Sequence, residues 1–159
     1  MKTLVKIVLS TVLFASTAIL ANAQCKMFTE KNCKNTLGHF TNNGQYNGAV
    51  LFEGEEATLA QTFYGGQDYK VVLCTQDVFN QSSYFELHDY KGNMLFSSEG
   101  SGKSELEFGV ENTQNLKIRV VVPTIGTNED LKQNGCVSII VGFKESDASD
   151  SAYNETQHE

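Results

Sequence analysis

Three polar residues in one short segment are the strongest candidates for catalysis. Glu86, His88 and Asp89 lie in the alternating segment Tyr84–Asp89. Residues two apart on a strand share a face, so His88 would serve as a general base and Glu86 would orient it. A solvated strand face explains the same residues without chemistry. Because the sequence contains no Gly-x-Ser-x-Gly elbow, His-Glu-x-x-His motif or phosphate-binding glycine-rich loop, we predict a noncatalytic protein with no catalytic residue.

Four cysteines, Cys25, Cys33, Cys74 and Cys136, form the next group of reactive side chains. None of them is two to four residues from another, which is the usual spacing of zinc ligands. An even number of cysteines in an exported chain favours two disulfides, and three pairings are open. We expect Cys25–Cys33 as a local loop and Cys74–Cys136 as a link between strands. No cofactor is predicted.

Calcium would require clustered oxygen ligands. The candidates are Asp77, Asp89 and Asn93, but none lies in the periodic acidic spacing of a recognised calcium loop. Asp and Asn at strand ends commonly form turns through their own hydrogen bonds. We therefore predict no metal site, with these three residues as the alternative ligands.

Exposed aromatic rings are the candidates for ligand binding. Tyr64, Tyr84 and Tyr90 lie beside predicted turns and are able to stack on a sugar or a peptide. The absence of tryptophan, which offers the largest platform, counts against a sugar site. The ligand itself stays unknown at this level.

The N-terminal residues predict an exported protein. Lys2 and Lys6 precede the mostly apolar run Ile7–Leu20, and Ala21-Asn22-Ala23 supplies a cleavage motif. Residues 1–23 are therefore interpreted as a signal peptide, cleaved between Ala23 and Gln24. The run is shorter than the ~20 residues that a membrane span needs. We expect a secreted or periplasmic protein that is not inserted in a membrane after cleavage.

The charge balance excludes several classes of partner. The chain has 12 basic and 19 acidic side chains; without Lys2 and Lys6 of the signal, 10 and 19 remain, a net charge of −9. Such acidity argues against nucleic acid and anionic membranes. Residues 145–159 hold five acids and no Lys or Arg, which predicts a disordered acidic tail.

The middle of the chain predicts an all-β fold. Residues 49–144 contain about eight short apolar or alternating runs separated by turn residues, the pattern of an antiparallel β-sandwich. Tyr69–Thr75 is apolar enough to be a strand covered on both faces. No window shows a sustained helical period. Residues 24–48 are interpreted as a cysteine-containing N-terminal arm, pinned by a disulfide or forming a first edge strand near Leu37–Thr41.

Three segments carry a resemblance to a known family. Tyr69–Leu73, Phe85–Phe96 and Asn115–Val120 resemble the strand, Asp-x-x-Gly hairpin and aliphatic-Arg-Val strand of bacterial pre-peptidase C-terminal-type domains. The resemblance covers about residues 57–143 and implies a jelly-roll-like accessory module without catalytic activity. The four cysteines lie outside the family pattern, and no functional residue is carried over.

These patterns together predict an exported noncatalytic binding or accessory module whose partner is a protein or a carbohydrate. One alternative is a small secreted enzyme that uses the Glu86/His88/Asp89 face. Another is a protein-binding inhibitory or structural protein.

Overall fold

Two antiparallel sheets, preceded by a helical N-terminal segment, form most of the described part of the chain. The computed structural model describes residues 17–79, 82–125 and 132–146. Their strands are β1 (Thr41–Asn42), β2 (Asn47–Phe52), β3 (Glu56–Phe63), β4 (Gln67–Thr75), β5 (Tyr84–His88), β6 (Met94–Ser97), β7 (Glu105–Val110), β8 (Gln114–Val121) and β9 (Asn134–Glu145). In the first sheet, β1 and β2 both pair with β9, followed by β4 and β7; the second sheet has the order β3-β8-β5-β6.

The core lies between the two sheets. Val71 and Ile139 of the first sheet pack with Phe85 and Ile118 of the second in one buried apolar cluster. Burying a side chain of this size stabilises the fold by roughly 1.5–3 kcal/mol. The predicted antiparallel β-sandwich is therefore confirmed, while the finer jelly-roll assignment stays a prediction.

A helix that the sequence does not predict precedes the first strand. α1 runs from Thr17 to Asn32, and a 3₁₀ turn follows at Lys34–Leu37. α1 has no apolar stripe of the usual helical period, so the sequence pattern fails to indicate it. Among residues 24–33, the buried side chains are instead Cys25 and Thr29 of the helix and Cys33 directly after it, which recur every fourth residue.

Both disulfides join this N-terminal segment to the first sheet. Cys25 is bonded to Cys136 of β9 and Cys33 to Cys74 of β4, with Cα atoms 5.2 and 6.0 Å apart. The expectation that all four cysteines form disulfides is confirmed, but the expected pairing is wrong. Eight helical residues extend about 12 Å, beyond the roughly 7 Å between Cα atoms that a disulfide tolerates. A Cys25–Cys33 bond is therefore incompatible with α1.

The N-terminal segment covers the outer face of the first sheet. Leu37 and Phe40 pack with Val72 of β4 and Ile140 of β9 in a second apolar cluster. A Cβ atom on Gly142 would lie 2.8 Å from the Cβ of Phe40, so this contact requires glycine. The prediction that β4 is covered on both faces is confirmed.

The segments predicted at the two ends lie largely outside the described residues. Residues 1–16 and 147–159 belong to this undescribed part, as do 80–81 and 126–131. α1 extends across the expected cleavage point between Ala23 and Gln24, and β9 continues to Glu145, the first residue of the predicted tail. No helix in the described ranges is long and apolar enough to cross a bilayer.

Tryptic peptide mapping checks the disulfide pairing, because trypsin separates all four cysteines. Without reduction, we expect residues 24–26 linked to 133–144, and residues 32–34 linked to 71–91. Mass spectrometry identifies both pairs, and reduction serves as the control by releasing the four peptides. A peptide 24–26 linked to 32–34 would contradict the structure.

Candidate functional site

An ion-pair network crosses the outer face of the second sheet. Arg119 of β8 donates from Nη1 to Glu86 Oε2 of β5 at 2.9 Å and from Nε to Glu56 Oε2 of β3 at 3.1 Å. Its guanidinium therefore links three adjacent strands. The hydrogen bonds with Glu56 and Glu86 raise the pKa of Arg119 far above its ordinary value. The alternation of Leu116–Val120 is the sequence signal that puts Arg119 on this polar face.

His88 extends this network, whereas Asp89 does not join it. His88 Nε2 lies 2.8 Å from Glu86 Oε2, and its Nδ1 lies 3.3 Å from the carbonyl oxygen of Gly92. The carboxylate of Asp89 instead accepts hydrogen bonds from the backbone and side chain of Asn93. The structure thus brings together two of the three candidate catalytic residues.

The carboxylate of Glu86 is held in its charged form. Burial alone would raise its pKa, but the hydrogen bonds with His88 and Arg119 outweigh that effect and lower it. The charged carboxylate of Glu86 already accepts hydrogen bonds from two side chains, and these bonds hold both side chains in place on the outer face of the sheet. This arrangement supports a structural role for the Glu86/His88 pair.

The calcium candidates Asp89 and Asn93 form the turn of the β5–β6 hairpin. Asn93 donates to the two carboxylate oxygens of Asp89 at 2.8 and 2.7 Å, and the backbone of Gly92 has a φ of 90° that favours glycine. The hydrogen bonds from Asn93 also lower the pKa of Asp89. Within the described ranges, no three His, Cys, Asp or Glu side chains are grouped to hold a metal ion.

The same hairpin exposes three large apolar side chains. Tyr90, Met94 and Leu95, which we call the hairpin knob, are 69, 59 and 55% exposed. A bulge accounts for the exposure of Leu95: Leu87 pairs with Phe96 and His88 pairs with Met94, so Leu95 is the extra residue. Met94-Leu95-Phe96 is the signal that sequence reasoning missed, since consecutive strand residues cannot all face the core.

The calcium candidate Asp77 and the ligand-binding candidate Tyr84 both line a polar cleft of about 520 Å³, together with Ser83 and Lys103. Ser83 Oγ is buried and has no hydrogen-bond partner in the described structure. Burial is the main cause that raises the pKa of Tyr84. We call this the hydroxyl cleft, because seven hydroxyl side chains line it: Thr36, Thr75, Ser82, Ser83, Tyr84, Ser98 and Ser104.

The three candidate tyrosines do not form one platform. Tyr84 begins β5 and Tyr90 follows its far end, and the five residues of the strand span about 16 Å. Tyr64 is 60% exposed at the end of β3, two strands away from β5. A ligand that stacks on one of these three rings therefore does not contact the other two on the same surface.

The Glu86 network predicts a specific loss of stability in acid. At pH 7 we expect Glu86→Gln to lower the free energy of unfolding by about 1–2 kcal/mol, because the charged acceptor is lost. The folded-state pKa is depressed, so this contribution is present above the ordinary glutamate value of 4.5 and is lost as the pH falls through the folded pKa. Urea unfolding of both proteins at pH 7 and pH 3 measures the difference.

Glu105→Gln is the matched control for this experiment. Glu105 is half exposed and shares Lys70 with Glu107, so its removal should cost less than about 1 kcal/mol. An unchanged difference between wild type and Glu86→Gln at pH 3 would show that the charge of Glu86 is not what stabilises the sheet.

Among the comparisons with known proteins, only the comparison with solved structures finds similar proteins. No family model and no curated protein matches this sequence. The periplasmic inhibitor of g-type lysozyme PliG from Aeromonas hydrophila is 8% identical with a TM-score of 0.47, covering 67% of this chain and 89% of its own. The Salmonella Typhimurium PliG is 14% identical with a TM-score of 0.39 and coverages of 62% and 89%.

A third similar structure comes from a different class of protein. The CBM36-1 domain of a multidomain xylanase from the hindgut metagenome of Trinervitermes trinervoides is 19% identical, with a TM-score of 0.29 and coverages of 65% and 90%. None of these three is described as a pre-peptidase C-terminal-type domain, and that resemblance stays a prediction. At these identities and scores the likenesses assign neither a family nor a function.

Proposed function

We propose that this chain is an exported, noncatalytic protein-binding module that contacts its partner through the hairpin knob. The observation that carries the proposal is the exposure of Tyr90, Met94 and Leu95 together on one hairpin. Contiguous exposed apolar patches on small proteins commonly mark interaction sites, and tyrosine and methionine are enriched in interfaces. The partner is accordingly a protein with an apolar recess able to receive the knob.

The turn that presents the knob is already ordered by its own hydrogen bonds. Asn93 donates one hydrogen bond from its backbone and one from its side chain to the carboxylate of Asp89. In addition, the backbone N–H of Asp89 donates to the carbonyl of Asn93 at 2.9 Å, and that of Gly92 donates to the carbonyl of Asp89 at 3.1 Å. Lys91 lies 5.5 Å from the ring centroid of Tyr90. A preorganised loop loses less conformational entropy on binding, which favours a protein contact at this position.

Two further observations support the proposals that the protein is exported and that it is noncatalytic. Two disulfides are typical of proteins that fold in an oxidising environment, as expected for an exported chain. On the candidate catalytic face, Glu86 is engaged by Arg119 and His88, while Asp89 is engaged by Asn93. The carboxylates therefore act in structure, which supports the noncatalytic interpretation over the enzyme alternative.

Site-specific photocrosslinking in the native host tests this proposal. A photoreactive phenylalanine analogue at Tyr90 should give a discrete crosslinked protein, whereas the same analogue at Met27 of α1 should give none. Met27 is the matched control because it is 66% exposed and lies on the helix that covers the opposite sheet. Equal crosslinking from both positions would contradict docking through the knob.

Substitution in the knob should weaken binding to the partner so identified. We expect Leu95→Ser to reduce the affinity at least about tenfold through lost apolar burial, and Met27→Ser to leave it unchanged. Isothermal titration calorimetry measures both. A g-type lysozyme, the enzyme that the PliG structures inhibit by their description, is the first purified protein to titrate.

The hydroxyl cleft favours a second candidate function, carbohydrate binding. Its hydroxyl lining suits a hydroxylated ligand, as does Ser83 Oγ, which has no partner among the described residues; Tyr84 supplies a ring beside them. Binding on a glycan array that is lost in Tyr84→Ala and retained in Tyr64→Ala would favour this function. Loss in both variants, or no binding by the wild type, would count against the cleft.

A further inference from the structure

Cleavage at the predicted position turns an exposed glutamine into the first residue of the chain. The signal peptide is expected to end at Ala23, and α1 runs through this point from Thr17 to Asn32. Residues 24–32 then remain of the helix, and Gln24, which is exposed, carries the free α-amino group. The starting point is therefore the export that forms part of the proposed function, whereas the hairpin knob plays no part.

The new N-terminus is anchored from its second residue onward. Cys25 has no exposed surface and is bonded to Cys136 of β9, so the chain is attached to the first sheet one residue after Gln24. The hydroxyl of Thr29 donates to the carbonyl oxygen of Cys25 at 2.8 Å, which holds that residue in its helical conformation. Gln24 precedes the anchored part, and its exposed side chain is free to turn towards its own α-nitrogen.

The α-amino group lies where a positive charge is unfavourable. Unsatisfied backbone N–H groups give the N-terminus of a helix a partial positive charge, which disfavours a cation there. In the first turn of the shortened helix, residues 24–27, the charged side chain is that of Lys26, and none of the four residues is an acid. This turn therefore offers no carboxylate to offset an ammonium group on Gln24.

We propose that Gln24 cyclises to pyroglutamate after signal cleavage, and that the loss of the terminal charge stabilises α1. The uncharged form of the α-amine, which is present in part at neutral pH, attacks Cδ of its own side chain. A bond forms between the α-nitrogen and Cδ and closes a lactam ring, the Cδ–Nε2 bond breaks, and one proton of the α-nitrogen leaves with Nε2 as ammonia. The reaction needs no oxidant, reductant or second substrate. It leaves a neutral N-terminus without a free amine.

Mass spectrometry of the undigested protein, secreted through its own signal by the native host, tests the cyclisation. We expect a chain that begins at residue 24, is lighter than the unmodified chain by one ammonia molecule and is blocked to Edman degradation. Pyroglutamyl aminopeptidase should unblock the reduced, unfolded chain and make Cys25 its first residue. The undigested protein is measured because a free N-terminal glutamine can cyclise during digestion.

Gln24→Asn is the matched control. It keeps a carboxamide at the exposed position but shortens the side chain by one methylene, so the same attack would require a strained four-membered ring. We therefore expect a free N-terminus in this variant. A free amine on wild-type Gln24, or a blocked N-terminus in Gln24→Asn, would overturn the proposal. A wild-type chain that begins at another residue would overturn it together with the predicted cleavage.

The stabilising effect of charge loss has a separate readout. At pH 7 we expect the cyclised wild type to have an unfolding equilibrium constant about two- to fivefold smaller than that of Gln24→Asn, the effect typical of one charge at a helix end. The difference should disappear at about pH 10, where the α-amine of the variant is uncharged. Urea unfolding measures both values. Equal stability at pH 7, or an unchanged difference at pH 10, would contradict stabilisation through the charge.

Discussion

The covalent attachment of the N-terminal segment, at Cys25 in α1 and at Cys33 directly after it, to the two central strands of the first sheet is the constraint on which the remaining structure depends. Cys25 joins β9 and Cys33 joins β4, and between them the hydroxyl of Thr29 lies 2.5 Å from that of Ser138, with both side chains buried. A helix with so little apolar periodicity gains its stability from such tertiary contacts rather than from its own sequence. The two disulfides and the Thr29–Ser138 contact therefore explain why a helix forms where the sequence pattern predicts none.

This attachment determines which surfaces are available to a partner. The outer face of the first sheet is covered by the N-terminal segment, so Val72 and Ile140 are removed from solvent. The second sheet has no such cover in the described structure, and its outer face is polar, with Arg119 joined to carboxylates on both neighbouring strands. The exposed features that remain are the hairpin knob at one edge of the second sheet and the hydroxyl cleft at the end of β4.

The structure explains Glu86 and Asp89, which first suggested catalysis, by the neighbouring groups that they hold in position. The Glu86–Arg119 contact crosses two paired strands, and the Asp89–Asn93 contacts order a turn. The hydrogen bonds that each carboxylate accepts lower its pKa and stabilise the charged form. The chemistry of these side chains therefore supports the rigidity of the hairpin that carries the knob.

The sequence alone determined the fold class and the core strands, because the alternation of apolar and polar residues is a local property. It also indicated that the cysteines are oxidised, because an even cysteine number is a property of the composition. The run Tyr69–Thr75 even indicated a strand buried on both faces. Only the tertiary structure decided the disulfide partners, since Cys25 and Cys33 meet strands more than 40 residues away. The exposure of Leu95 likewise depends on a bulge, and the separation of β2 from β3 depends on two consecutive strands that join different sheets. Such features arise from pairing register and packing between distant segments, which a local pattern does not encode.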